Sequence, residues 1–160
     1  MRDILFRGKS FSGVINHSWL FGSLDTTEKE CPSIIYIDRF GNRCRVFLDP
    51  KTVGQYTGLT DKKGKKIFEG DIIRYADNDE YEMYLESLEC PEEYEGVDFS
   101  RMWTVDEVVY GDKIGYPAFD LNAHDFECNG LAELGENGGQ WFYEVIGNIY
   151  DNPELLEVEK

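Results

Sequence analysis

The sequence predicts a mainly β fold with minor α content, a small barrel or roll preceded by a β-rich N-terminal part. Three observations lead there. Short β-rich runs recur at regular spacing, turn formers separate them, and a single stretch has helical periodicity. At 160 residues and 18.5 kDa the chain suits one domain or two small halves. Its aromatic content of 14% is too high for a disordered acidic chain.

Taken in order, Ile4-Leu5-Phe6 and Trp19-Leu20-Phe21 read as short strands, with Gly8, Gly13 and Asn16 as turn formers between them. Residues 34–37 and 44–48 form a hairpin around Phe40-Gly41-Asn42, where Gly and Asn tolerate positive φ. Pro50 ends its second strand. A tight loop over 60–66 separates Tyr56-Thr57-Gly58-Leu59 from Ile67-Phe68. Gly70 permits a sharp bend into the strand 72–75, and the Asp71 carboxylate is placed to accept hydrogen bonds from turn amides.

Residues 76–102 interrupt the β pattern. Tyr81, Tyr84, Leu85 and Leu88 recur at spacings of three and four, which puts them on one face of a short helix over 78–90. Asp79 and Glu80 suit its N-terminus, and Pro91 follows its end. The β signal returns at 103–110 and at 116–121, where Pro117 confines the strand to an edge or a start. Four glycines (Gly130, Gly135, Gly138, Gly139) mark an exposed loop. Residues 141–150 close the fold as strand, turn and short strand, and 151–160 is a polar tail with one helical turn after Pro153. The expected organisation is a β-rich part at 1–60 that packs beside the barrel or pairs with another subunit, an SH3-like barrel at 61–152 with an acidic insertion at 76–102, and the tail at 153–160.

Charge is the outlier. Sixteen basic against 32 acidic residues give −16, and ten of the acids lie between Asp77 and Asp98, where 76–100 holds no Lys or Arg. Phosphate neutralisation supplies most nonspecific affinity for nucleic acid, so this balance argues against such binding and against anionic lipid. No run approaches the roughly 20 apolar residues that span a bilayer, and the N-terminus lacks the apolar core of a secretory signal. Cys31, Cys44, Cys90 and Cys128 lie too far apart for a zinc knuckle and read as reduced thiols of a cytoplasmic protein.

The 22 residues of 52–73, which read TVGQYTGLTDKKGKKIFEGDII, resemble the central signature of the YopX family of phage and prophage proteins. The ending EVIGNIYDNPELL at 144–156 is similar to that family's C-terminus, and Phe6-Arg7-Gly8-Lys9 with Trp19-Leu20-Phe21-Gly22 to its N-terminal pattern. The resemblance implies a C-terminal SH3-like roll, an N-terminal part that helps assembly, and a site of action in the cytoplasm of a bacterial host. It implies no catalytic residues, and the acidic segment is longer than the family's usual connection.

Enzymatic chemistry has one local candidate, His124-Asp125 with Cys128, in which an imidazole would deprotonate a thiol; proximity in sequence is not catalytic geometry. His17 beside a turn reads as polar surface. Asp77-Asn78-Asp79-Glu80 offers hard oxygen ligands, but the EF-hand pattern fails at Tyr81 and Glu82. The expectation is therefore a protein without enzymatic activity, metal or cofactor. Lys62, Lys63, Lys65 and Lys66, near Arg74 and Tyr75, form the only basic concentration and the nucleic-acid alternative. The acidic segment suggests a mimic of nucleic acid that occupies a basic host protein, with Tyr81, Tyr84, Tyr94 and Phe99 as anchors. Gly58, Gly64, Gly70, Asp71 and Gly147 are assigned to turn geometry. The candidate interaction surface is Lys62, Lys63, Lys65, Lys66, Glu80, Tyr81 and Tyr84, on a chain that self-associates and contacts a host or phage protein.

Overall fold

The computed structural model describes residues 4–11, 19–28, 30–111, 118–122, 130–136 and 141–157. The fold is mainly β, built on two antiparallel sheets, and the chain divides into two compact units. The first comprises Met1–Leu59 and Lys66–Glu69, the second Thr60–Lys65 and Gly70–Lys160.

The first unit holds a six-stranded sheet: β1 (Phe6–Lys9), β2 (Trp19–Asp25), β3 (Ser33–Ile37), β4 (Arg43–Phe47), β5 (Gly54–Thr60) and β6 (Lys66–Phe68), in the order β4-β3-β2-β1-β5-β6. The first strand begins at Phe6, two residues later than its apolar run suggests. The β3–β4 hairpin forms as expected, with Ile37 opposite Arg43 and Gly41 at φ 85°. Asp38 closes it by accepting from the Phe40 and Asn42 amides, both at 2.8 Å. One side of the sheet is packed: Ile34 is fully buried and pairs with Val46, and Leu48 packs where Gly8 leaves no Cβ in its way.

The second unit holds β7 (Asp71–Asp77), α1 (Asn78–Glu89), β8 (Thr104–Tyr110), β9 (Phe119–Leu121), α2 (Gly130–Glu136) and β10 (Trp141–Asn148), with sheet order β10-β7-β8-β9. Central β7 buries both of its faces, since neighbours Ile72 and Ile73 are each inaccessible. Among the described residues no pairing closes β9 onto β10, so these strands form an open sheet and not a closed SH3-like barrel.

Two expectations need correction here. The glycine-rich segment from 130 is helical, not an exposed loop, over Gly130–Glu136: Leu131 and Leu134, three apart, are both buried, and the buried Asp120 carboxylate accepts from the Leu131 amide at 3.1 Å. Packing outweighs the low helix propensity of glycine there. Gly147 sits inside β10, just after a bulge at Ile146, and not in a turn. A Cβ on it would lie 2.8 Å from Asn152 Oδ1 and from Leu155 Cδ1, so its role is to admit the tail's 3-10 turn, Pro153–Leu156. Asp71 opens β7 opposite Asn148, directly after the turn at 69–70, and is buried; a second carboxylate, Asp61, organises the turn at 60–65.

Candidate functional site

Helix α1 starts where Asp77, in extended backbone, accepts from the Asp79 amide at 2.9 Å, with Asp79 and Glu80 in the first turn. Its predicted apolar stripe is real but only half covered. Tyr81 stacks on Phe142 with ring centres 3.6 Å apart, and Tyr81 and Tyr84 both meet Trp103 edge-on. Tyr84 also touches Phe99, which Tyr94 flanks, while the Tyr94 hydroxyl donates to Glu86 at 2.5 Å. Leu85 and Leu88, one turn beyond Tyr81 and Tyr84, stay 42% and 63% exposed, contrary to a fully packed face. Met83 and Val97 are exposed as well. Tyr81 and Tyr84 are thus occupied within the chain, and the exposed anchors of this acidic segment are aliphatic. Glu80 points to the exposed side.

The 60–65 turn is built around one carboxylate. Asp61 Oδ1 accepts from the amides of Lys63 (2.9 Å) and Lys65 (2.8 Å), and Oδ2 from Val145 of β10 (3.0 Å). The Tyr143 hydroxyl donates to the Thr60 carbonyl at 3.2 Å; burial, then the Asp61 charge, push its pKa up. Gly64 takes φ 82°, as the turn requires.

Each of the four loop lysines has a partner in the chain. Lys62 Nζ lies 5.2 Å over the Tyr143 ring, Lys63 pairs with Glu144, and Lys65 Nζ donates to the Val145 carbonyl at 3.4 Å. Lys66 belongs to the first unit and sits 4.5 Å over Tyr56. Arg74 donates from Nε to Glu144 at 2.6 Å and stacks 4.3 Å over Trp103. Tyr75 is buried against Trp141 and offers no stacking platform. Glu144 is almost inaccessible. Burial is the largest single influence on its carboxyl and pushes the pKa up, but hydrogen bonds and charge from Lys63 and Arg74 together outweigh it, leaving the pKa below the ordinary 4.5.

Beside this ion cluster lies an open cleft of about 400 Å³ lined by Arg74, Ser100, Trp103, Thr104, Val105, Ile146 and Leu155. Gly70 (φ 77°) adopts the left-handed backbone expected at its bend, whereas Gly58, assigned to a turn, takes φ 92° within strand β5. Among the described residues no three His, Cys, Asp or Glu side chains converge as a metal cluster, and Cys31, Cys44 and Cys90 are free thiols. His17, His124, Asp125 and Cys128 lie outside the described residues. Among these residues too, no helix is long and apolar enough to cross a membrane. Sequence reasoning missed Asp61, Trp103 and Glu144. Asp-Lys-Lys-Gly at 61–64 held a signal for the first; the partners of Glu144 lie 70 and 81 residues away and left none.

No curated protein matches the chain. The crystal structure of protein EF1440 from Enterococcus faecalis is similar in fold, with a TM-score of 0.51 at 22% identity, covering 98% of this chain and 99% of that one. The family model described as YopX protein matches residues 13–157. Spanning nearly the whole chain and taking in both the 52–73 signature and the 144–156 ending, that match makes this protein a member of the YopX family.

Proposed function

We propose that this protein is a phage- or prophage-encoded accessory protein without enzymatic activity, acting in the bacterial cytoplasm by protein–protein contact through the outer part of helix α1. The observation that carries this is the half-covered stripe: Leu85 and Leu88, with Met83 nearby, stand bare in a segment where ten acids meet no base. Bare aliphatic side chains framed by charge mark a contact surface better than a solvated face does. The acids choose a partner with basic groups and make the encounter salt-sensitive. The nucleic-acid alternative through Lys62, Lys63, Lys65 and Lys66 loses support, because those lysines are engaged within the chain.

The test is capture with tagged full-length chain from lysate containing an untagged copy, with and without nuclease treatment, compared with Leu85→Ser/Leu88→Ser. A protein held at low salt, released at high salt and lost in the variant is the expected result. Equal capture by the variant, or capture that nuclease abolishes, would contradict the proposal.

A further inference from the structure

The two units differ sharply in charge. The first has nine Lys and Arg against seven Asp and Glu, net +2, and the second seven against twenty-five, net −18. The first unit also exposes large apolar side chains on one side of its sheet. Pairing places Ser33 opposite Phe47, Ile35 opposite Arg45 and Ser23, and Ile37 opposite Arg43, so these side chains share one side of the sheet with Phe21, two residues from Ser23. That is the side opposite buried Ile34. Phe21, Ile37 and Phe47 on it are between 44% and 65% exposed. The solvent face of an antiparallel sheet is ordinarily polar. Here Phe21, Ile37 and Phe47 stand exposed on it beside Arg43, while Arg45 pairs with Asp25 at 3.4 Å and Glu28 at 3.7 Å and lies 5.1 Å over the Phe47 ring.

We infer that the occupant is the α1 helix of a second copy of this chain, its Leu85–Leu88 stripe laid on the Phe21–Ile37–Phe47 face. The inference rests on the reading of α1 as a contact surface and names the partner. The surfaces are complementary: aliphatic side chains framed by Glu82, Glu86 and Glu89 of the strongly acidic unit on the helix, exposed Phe21, Ile37 and Phe47 beside Arg43 of the net-positive unit on the sheet. Helix against helix would oppose rows of glutamates, and sheet against sheet would set Arg43 against its own copy with no acid of the helix to meet it. The contact joins unlike surfaces: made reciprocally about a two-fold axis it closes a dimer, and made once it leaves a sheet face free on one copy and a helix free on the other for further copies.

Sedimentation equilibrium on the full chain tests this with two surface variants, Leu85→Ser/Leu88→Ser on the helix and Ile37→Ser/Arg43→Glu on the sheet. Wild type should associate with concentration, and raising salt from 50 to 500 mM should weaken association by about tenfold. Each variant alone should be monomeric. Mixed one to one, they should form a heterodimer and nothing larger, since only one intact helix and one intact sheet face remain between them. If a variant fails a thermal-melt check, the charge-only pair Glu89→Lys and Arg43→Glu replaces it under the same mixing logic. A monomeric wild type, or variants that stay monomeric on mixing, would overturn the inference. A monomeric wild type that still captures another protein through α1 would overturn the second copy and leave the α1 contact standing; capture independent of α1 would remove both.

Discussion

Asp61 gives the sharpest test of how the fold is held. Replacing it with Ala removes the acceptor for three amides at once, those of Lys63, Lys65 and Val145. The first two belong to exposed residues of the turn, where water substitutes, at roughly 0.5–1 kcal/mol each. The Val145 amide is buried in β10, and a buried donor without a partner costs about 1–3 kcal/mol. The total is about 2–5 kcal/mol; at about 2–4 °C per kcal/mol for a chain of this size, Asp61→Ala should melt about 4–20 °C lower. Asp61→Asn keeps one carbonyl oxygen for the two turn amides but turns an NH2 group toward the Val145 N–H, so it should fall between wild type and Ala. Thermal unfolding is followed by tryptophan fluorescence in a Trp19→Phe background, which leaves Trp103 and Trp141 reporting on the second unit. An unchanged melting temperature for Asp61→Ala would refute the assignment of the turn to this carboxylate.

Other predictions bear on the same unit. Gly70→Val should lower the melting temperature, since φ 77° suits glycine and a Cβ there would lie 3.2 Å from the Tyr150 ring, a cost of about 1–2 kcal/mol or more; a melt like wild type would defeat this. Gly147→Ala should free the tail, read as faster hydrogen exchange over 149–157, because its Cβ would meet Asn152 and Leu155 at 2.8 Å; unaltered exchange would contradict it. Glu144 has a folded pKa below 4.5, so its ion cluster contributes stability that is fully present above about 4.5 and is lost as pH falls through the folded value. Glu144→Gln should accordingly flatten the acid limb of a melting-temperature-against-pH curve, and an identical acid limb would count against the pairing with Lys63 and Arg74.

What was legible in the sequence divides by range. Local signals held: the β3–β4 hairpin follows from β-branched runs around Phe40-Gly41-Asn42, and α1 from the spacing of Tyr81, Tyr84, Leu85 and Leu88. Periodicity gives the face of a helix but not what covers it, so it could not separate Tyr81 and Tyr84, packed on Phe142 and Trp103, from the bare Leu85 and Leu88. Helix α2 was hidden because glycine composition argued for a loop, and only the burial of Leu131 and Leu134 decides otherwise. Turn chemistry was read at Asp71, next to a glycine, but not at Asp61, whose carboxylate carries the turn at 60–65. The ion cluster on Glu144 depends on strand pairing between β7 and β10, which no local pattern encodes.

The contact surface on α1 is most directly tested by hydrogen exchange of the full chain, measured by mass spectrometry at low and high protein concentration in low salt. Protection should rise together over 83–89 in α1 and over 33–47 in the β3–β4 hairpin, and high salt should remove both gains. Exchange that is independent of concentration in both segments, or a gain in one without the other, would contradict the docking of α1 on a second copy.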